Sequence, residues 1–285
     1  MKVLLYYKYI PVPDPAKEVA SQLAFCKELG LKGRIFIGSE GINGTCSGEP
    51  DKVAAYQKML NEHPLFSGIG FKESEHPEHV FNKIFVRHRP EIVALKTDIA
   101  ASEAAPYITP EQLHRELEEG EDLVLIDMRN DYEAAIGKFR NAVTLTMRNF
   151  RELPGYMEEL LPYKNSKVVT YCTGGIRCER ASALLRKHGF TNVRQLEGGI
   201  VKYCEAYPDG FFDGSLFVFD KRLSMRFPGK LPHKFLASCV FCHTPSDRYL
   251  DCADHHCTDR LFICCEKCQG TNNGKCHLHK NEVHA

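Results

Sequence analysis

Cysteine placement constrains this 285-residue chain more than any other feature: eight of its 13 cysteines lie at or after Cys239, in the last 47 residues. An odd total, repeated short spacings and no export signal argue against a disulfide framework. In a reducing compartment two readings remain, metal ligation for the cluster and chemistry for an isolated thiol. Residues 1–10 form a short apolar stretch broken by Lys8 and followed by Pro11 and Pro13. It lacks a small-residue cleavage site, so a cytoplasmic location is expected. No apolar run approaches the ~20 residues of a membrane span, so no membrane partner is expected. Lys+Arg 37 against Asp+Glu 37 excludes an overall basic sink for nucleic acid and leaves local patches open. Charged residues at 26% and hydrophobic residues at 43% exclude wholesale disorder.

Three regions follow from pattern and composition: 1–95, 107–219 and 220–285. In the first, strand-like runs at 2–8, 34–37, 41–48, 69–73 and 83–89 surround helical periodicity at 14–29 and 51–61. The order βαββαβ predicts a ferredoxin-like α+β module. Residues 96–106 connect it to an alternating α/β unit. There, Thr109 before Pro110 starts a helix that runs to about Glu119. The short apolar runs 123–126 and 167–171 predict buried parallel strands, with another strand over 190–196. Beyond Arg222, prolines break regular structure and Cys and His dominate; a region so poor in core residues needs metal staples.

The segment Cys172-Thr-Gly-Gly-Ile-Arg177 lies between a buried strand and an amphipathic helix, where α/β sheets place their active sites. Backbone N–H groups of such a loop form an anion nest, and the helix amino end lowers a thiol pKa. Gly174 and Gly175 let the backbone wrap closely, and Arg177 closes the ring or binds an anion. A lone cysteine at a strand end is ordinarily an inert core residue; the Gly-Gly and Arg at this spacing favour a reactive Cys172. Cys178, six residues on, either resolves an oxidised Cys172 or packs against the sheet, and packing is preferred. Cys26, Cys46 and Cys204 have no partner at diagnostic spacing. Arg177 follows Cys172 too closely for a cysteine phosphatase, and no flavin or nicotinamide fingerprint is visible.

In the tail, Cys239-x2-Cys242 and Cys265-x2-Cys268 present two thiolate pairs to one zinc ion. A second ion would use Cys252, Cys257, Cys276 and either His277 or His279. Cys264 is a spare or exchanges with Cys265, and His243, His255 and His256 are read as solvated.

The run Tyr-Cys172-Thr-Gly-Gly-Ile-Arg, with Leu125-Ile-Asp-Met-Arg129, Gly137-Lys-Phe-Arg-Asn-Ala142 and Leu196-Glu-Gly-Gly-Ile200, resembles a rhodanese domain. The tryptophan usual soon after Gly-Gly-Ile is absent; Tyr203 stands nearby. Adding Gly-Ser-Glu-Gly-Ile-Asn-Gly-Thr45, Lys83-Ile-Phe-Val-Arg-His-Arg-Pro-Glu91, Cys178-Glu and the Cys-rich tail, the whole chain resembles the oxygen-dependent tRNA uridine hydroxylases. That resemblance implies 5-hydroxyuridine formation at the tRNA wobble position, with molecular oxygen as co-substrate and Cys172 as the essential cysteine. It also favours RNA contacts where basic and aromatic residues mix: Lys83, Arg87 and Arg89 with Phe81 and Phe85, and Arg222 and Arg226 beside Phe219, Phe227 and Phe235. By pattern alone such mixtures are more often solvated faces. Two other functions stay open: a persulfide-forming sulfurtransferase, and a zinc-dependent RNA- or protein-binding module on an inactive rhodanese fold.

Overall fold

The structure is a computed structural model that describes residues 1–257 and 260–278. The first region contains β1 (Lys2–Tyr9), α1 (Pro15–Glu28), β2 (Lys32–Gly38), β3 (Gly41–Gly48), α2 (Pro50–Glu62), β4 (Gly70–Glu75) and β5 (Ile84–His88). Helix α1 starts where Asp14 accepts a 2.9 Å hydrogen bond from the Lys17 N–H. The chain turns after it at Gly30, whose φ of 68° suits glycine. The sheet order is β4-β1-β3-β2-β5. Its first four strands give the expected ferredoxin-like arrangement. β5 adds an edge strand parallel to β2, beyond the βαββαβ pattern.

Strand alternation divides this sheet sharply. Leu4, Tyr6, Ile35, Ile37, Ile42 and Cys46 are buried in one core with residues of α1 and α2. Leu5, Tyr7, Arg34, Phe36, Asn43 and Thr45 take the opposite face, which looks onto the second region.

The second region comprises β6 (Tyr107–Ile108), α3 (Pro110–Glu118), β7 (Leu123–Asp127), α4 (Asp131–Ile136), β8 (Gly137–Phe139), β9 (Val143–Thr144), α5 (Met157–Leu160), β10 (Lys167–Tyr171), α6 (Ile176–Lys187), β11 (Val193–Leu196) and α7 (Gly199–Ala206). The order β6-β11-β10-β7-β9 is parallel throughout, as the unbroken apolar runs predict. The last strand is shorter than expected: Phe190 is buried ahead of it, and pairing starts at Val193. The connection 96–106 is tied down. Arg180 on α6 donates to the carbonyls of Thr97 at 2.9 Å and Ile99 at 3.2 Å, and it pairs with Glu91. Leu95, Ile99 and Ala105 join the core beneath α6.

The third region follows from the last short strands of the second, which lie ahead of its start at 220. β12 (Phe212–Gly214) pairs with β8, β13 (Leu216–Phe217) pairs with β14 (Ser224–Met225), and β15 (Tyr249–Asp251) pairs with β16 (Leu261–Ile263) ahead of α8 (Glu266–Thr271). It also docks on the first region, through the Lys221 N–H to the Val80 carbonyl at 3.0 Å. All three regions therefore meet around one strand end. Among the described residues no helix is long and apolar enough to cross a membrane.

Candidate active site and metal centres

Cys172 follows β10, and its loop runs directly into α6. The Gly175 N–H donates to Cys172 Sγ at 3.1 Å. Gly175 has φ 103°, and a Cβ there would meet the Tyr7 hydroxyl at 2.8 Å. Only glycine lets the first region's sheet close on this loop. The outer side of the loop is held by α7: the N–H groups of Ile200 and Val201 donate to the carbonyls of Cys172 and Thr173, at 2.9 and 3.1 Å. With those carbonyls engaged outward, the loop N–H groups are free to face the sulfur.

Arg177 is buried and held by Glu133 of α4. One guanidinium N–H donates to Glu133 Oε2 at 2.9 Å, another to Oε1, and Thr173 Oγ1 accepts at 3.1 Å. Burial drives the Cys172 thiol upward. The Cys178 thiol, the Arg177 charge and the N–H groups of Arg177 and Gly175 outweigh it and bring the pKa down to about 5. Burial, with the adjacent thiolate, pushes Cys178 up, so it is the protonated partner of the two. Both thiols lie in one buried core cluster with residues of α6.

A cavity of about 520 Å³ opens over the loop. Cys172, Gly174 and Arg177 form its floor; Tyr7, Phe36 and Asn43 of the first sheet face them, and Phe219, at the end of the second region, closes one side. The Arg177 guanidinium lies 5.8 Å from the Phe219 ring centroid.

In the tail, one ligand atom from each of Cys239, Cys242, Cys265 and Cys268 lies within 4.8 Å of the others, as the spacing predicts. Cys242 and Cys265 are 3.6 Å apart sulfur to sulfur, close to the ~3.8 Å edge of a tetrahedron with ~2.3 Å metal–sulfur bonds. Cys265, rather than Cys264, occupies the ligand position. Cys252, Cys257 and Cys276 form a second cluster, with Cys257 and Cys276 also 3.6 Å apart. His277 is exposed and is not in this cluster. His279 lies outside the described residues. Both sets can hold a metal ion.

Family models match three successive stretches of the chain: the UPF0176 acylphosphatase like domain over residues 1–92, the rhodanese-like domain over 109–206 and the rhodanase C-terminal domain over 213–279, which starts ahead of residue 220. The tRNA uridine(34) hydroxylase of Shouchella clausii is 41% identical over 273 residues, covering 93% of this chain and 84% of that protein. The enzyme of the same name from Cytophaga hutchinsonii is 39% identical over 283 residues, covering 98% of this chain and 90% of the relative. That of Chlamydia abortus is 41% identical over 277 residues, covering 96% and 84%.

This chain belongs to the tRNA uridine(34) hydroxylase family.

For a chain of the uridine(34) hydroxylase family, the position of each basic residue matters as much as the thiol. Arg89 lines the Cys172 cavity with its guanidinium 5.4 Å from the Phe36 ring centroid. Arg34 and Arg151 line the same cavity. Neither was singled out by the sequence pattern, although Arg34 alternates in register with Phe36. Lys83 and Arg87 instead flank Phe85, at 4.7 and 4.8 Å from its centroid, and do not line the Cys172 cavity. Arg222 is anchored to Asp220 at 2.6 Å and Arg226 to Asp247 at 2.9 Å. Tyr132-Glu133 is also part of the rhodanese-like pattern, but the pattern gives Glu133 no role; a buried carboxylate is recognisable only once the arginine beside it is in view.

Proposed function

We propose that this chain hydroxylates the wobble uridine of tRNA at C5, with dioxygen as oxidant and Cys172 as nucleophile. The single observation that carries the catalytic assignment is the Cys172 sulfur accepting the Gly175 N–H at 3.1 Å in a loop that lines a cavity, joined to the family membership. Uracil's C5=C6 bond is conjugated to the C4 carbonyl, so a thiolate adding at C6 leaves C5 electron-rich and enolate-like. Loop N–H groups stand ready for the developing negative charge. Arg177, held in place by Glu133, acts through the sulfur and sustains its thiolate form. The balance of uridine, dioxygen, two electrons and two protons to 5-hydroxyuridine and water calls for an external reductant. Loss of the C5 proton and departure of the thiolate restore the ring.

The target base would leave the stacked anticodon to enter the cavity, with Arg34, Arg89 and Arg151 meeting the phosphates around it. Arg34 and Arg89 support this reading because no carboxylate forms a salt bridge with them among the described residues, whereas the Arg151 charge acts on the neighbouring Glu152 carboxyl. Arg222 and Arg226, anchored to aspartates, brace the third region. The tail clusters fit zinc by donor type, with Cys239, Cys242, Cys265 and Cys268 as one site and Cys252, Cys257 and Cys276 as three ligands of another. Zinc there would stabilise the fold of a region that has little apolar core.

The test is mass spectrometry of nucleosides from unmodified tRNA incubated under oxygen-18 gas, with a dithiol as two-electron reductant, with wild-type protein or Cys172→Ser. The expected product is a uridine heavier by one oxygen, labelled from the gas and absent with Cys172→Ser. An unlabelled or absent product, together with unchanged tRNA in a deletion strain, sinks hydroxylation. The sulfurtransferase reading predicts instead a labelled Cys172 persulfide that passes to an acceptor.

A further inference from the structure

Beside the Cys172 cavity lies a second one of about 260 Å³, walled by all three regions of the chain. The two cavities share Leu5, Thr45, Thr173 and Phe219, so Phe219 belongs to the wall of both. The second cavity is apolar over Val201, Val218, Met225 and Phe227, and Lys72 of β4 enters it from the side. The lysine stem passes over the catalytic loop: a Cβ built on Gly174 would lie 3.9 Å from Lys72 Cδ. Its ammonium is 5.3 Å from the Tyr7 ring centroid and pairs with no carboxylate among the described residues. Burial lowers its pKa, while the charges of Cys172 and Glu205 act the other way and Lys202 adds to the lowering. The other charged groups on the walls are engaged or raised. Glu73 pairs with Lys2 at 2.6 Å, Arg222 and Arg226 are held by aspartates, and burial lifts the Glu205 carboxyl.

An unpaired, half-buried ammonium over an apolar aromatic slot matches one kind of occupant, an aromatic ring carrying a phosphate. A nucleotide next to the target is covalently tied to it and must lie within one backbone step of the Cys172 cavity. We propose that this second cavity holds the base of a nucleotide adjacent to the target uridine, stacked against Phe219, with Lys72 on the phosphate joining the two. The inference rests on the RNA reading of the proposed function and extends it to a second base.

The test uses full-length protein and anticodon stem-loops that keep the target uridine and are intact or abasic at one flanking position. Affinity is read by fluorescence anisotropy, and 5-hydroxyuridine is measured separately. Wild-type protein should bind one of the two abasic loops about tenfold more weakly than the intact one. Lys72→Met should weaken the intact loop about tenfold and flatten the salt dependence by about one phosphate contact, and Lys72→Arg should restore both. Met225→Trp, which fills the cavity, should weaken the intact loop without further weakening that abasic one. Equal wild-type affinity for intact and both abasic loops overturns the proposal, as does a Met225→Trp penalty identical on all three. With dioxygen and a dithiol reductant supplied, the expected binding pattern without 5-hydroxyuridine would sink the hydroxylase reading alone; product formed without the pattern would sink this inference alone.

Discussion

Gly199 lies against the carbonyl of Cys172. Its φ is 67°, and a Cβ there would stand 2.4 Å from the Cys172 oxygen and 2.7 Å from that of Thr173. Gly199→Ala would push α7 off the loop whose carbonyls it holds, at a conformational cost of roughly 1–2 kcal/mol before any clash. Activity should fall at least about a hundredfold, the scale of a displaced catalytic group. Gly174→Ala, whose Cβ meets only the flexible Leu5 side chain at 3.0 Å, should be milder. Steady-state rates of 5-hydroxyuridine formation on the two variants order these effects; the reverse order would refute the role of Gly199.

The Cys172 thiol, brought down to about 5, is a thiolate above that pH and is protonated as pH falls through it. The acid limb of kcat/KM should therefore lie near pH 5, not near the ~8.5 of an unperturbed cysteine. Arg177→Gln removes one of the charges that lower the thiol, so the limb should move to higher pH. A limb that stays in place in that variant would show that Arg177 does not act through the sulfur.

Glu133 and Arg177 form a buried ion pair, with side chains 0% and 8% exposed. Removing either partner leaves a buried charge uncompensated, which costs about 3–5 kcal/mol. Glu133→Ala and Arg177→Ala should each destabilise by about that much, and the double variant by clearly less than their sum. Urea denaturation of the four proteins reads this coupling. Strict additivity would mean that the two groups do not interact in solution.

Metal in the tail should be measurable by elemental analysis of reduced, freshly purified protein, with zinc expected at one to two ions per chain. Cys239→Ser should lose one ion, and a strong chelator should lower the melting temperature by unfolding the third region. A protein with less than one zinc per chain and an unchanged melt in chelator contradicts this assignment.

Arg34→Ala, Arg89→Ala and Arg151→Ala should each weaken tRNA binding and reduce its salt slope by about one contact. Arg222→Ala and Arg226→Ala should lower thermal stability more than the salt slope, because Asp220 and Asp247 hold these side chains. Filter binding across a salt series, alongside melting curves, separates the two groups. A flattened salt slope for Arg222→Ala with an unchanged melt would return that residue to the RNA contact set.

Much of the site was legible in local pattern. The strand, Gly-Gly turn and helix around Cys172 follow from neighbours in sequence, as does the pairing of Cys239-x2-Cys242 with Cys265-x2-Cys268. Basic residues were less legible. Arg87 and Arg222 read alike in sequence, yet one lies beside Phe85 and the other is clasped by Asp220. A side chain's charge is known from its identity, whereas the availability of that charge depends on what stands opposite.

By itself the sequence determined the principal strands and helices of the first two regions, because helix caps and strand alternation act over a few residues; the short strands from Phe212 onward were not among them. It also determined that Cys172 sits at a strand end, where backbone N–H groups converge. Only the tertiary structure decided that Glu133, 44 residues before Arg177, holds it in place. The same holds for the sheet face bearing Tyr7, Arg34 and Phe36, which roofs the thiol. Alternation states which residues share a face, and packing of one region on another states what that face covers. Burial and neighbouring charge, which act on the Cys172 thiol pKa, exist only once those surfaces have met.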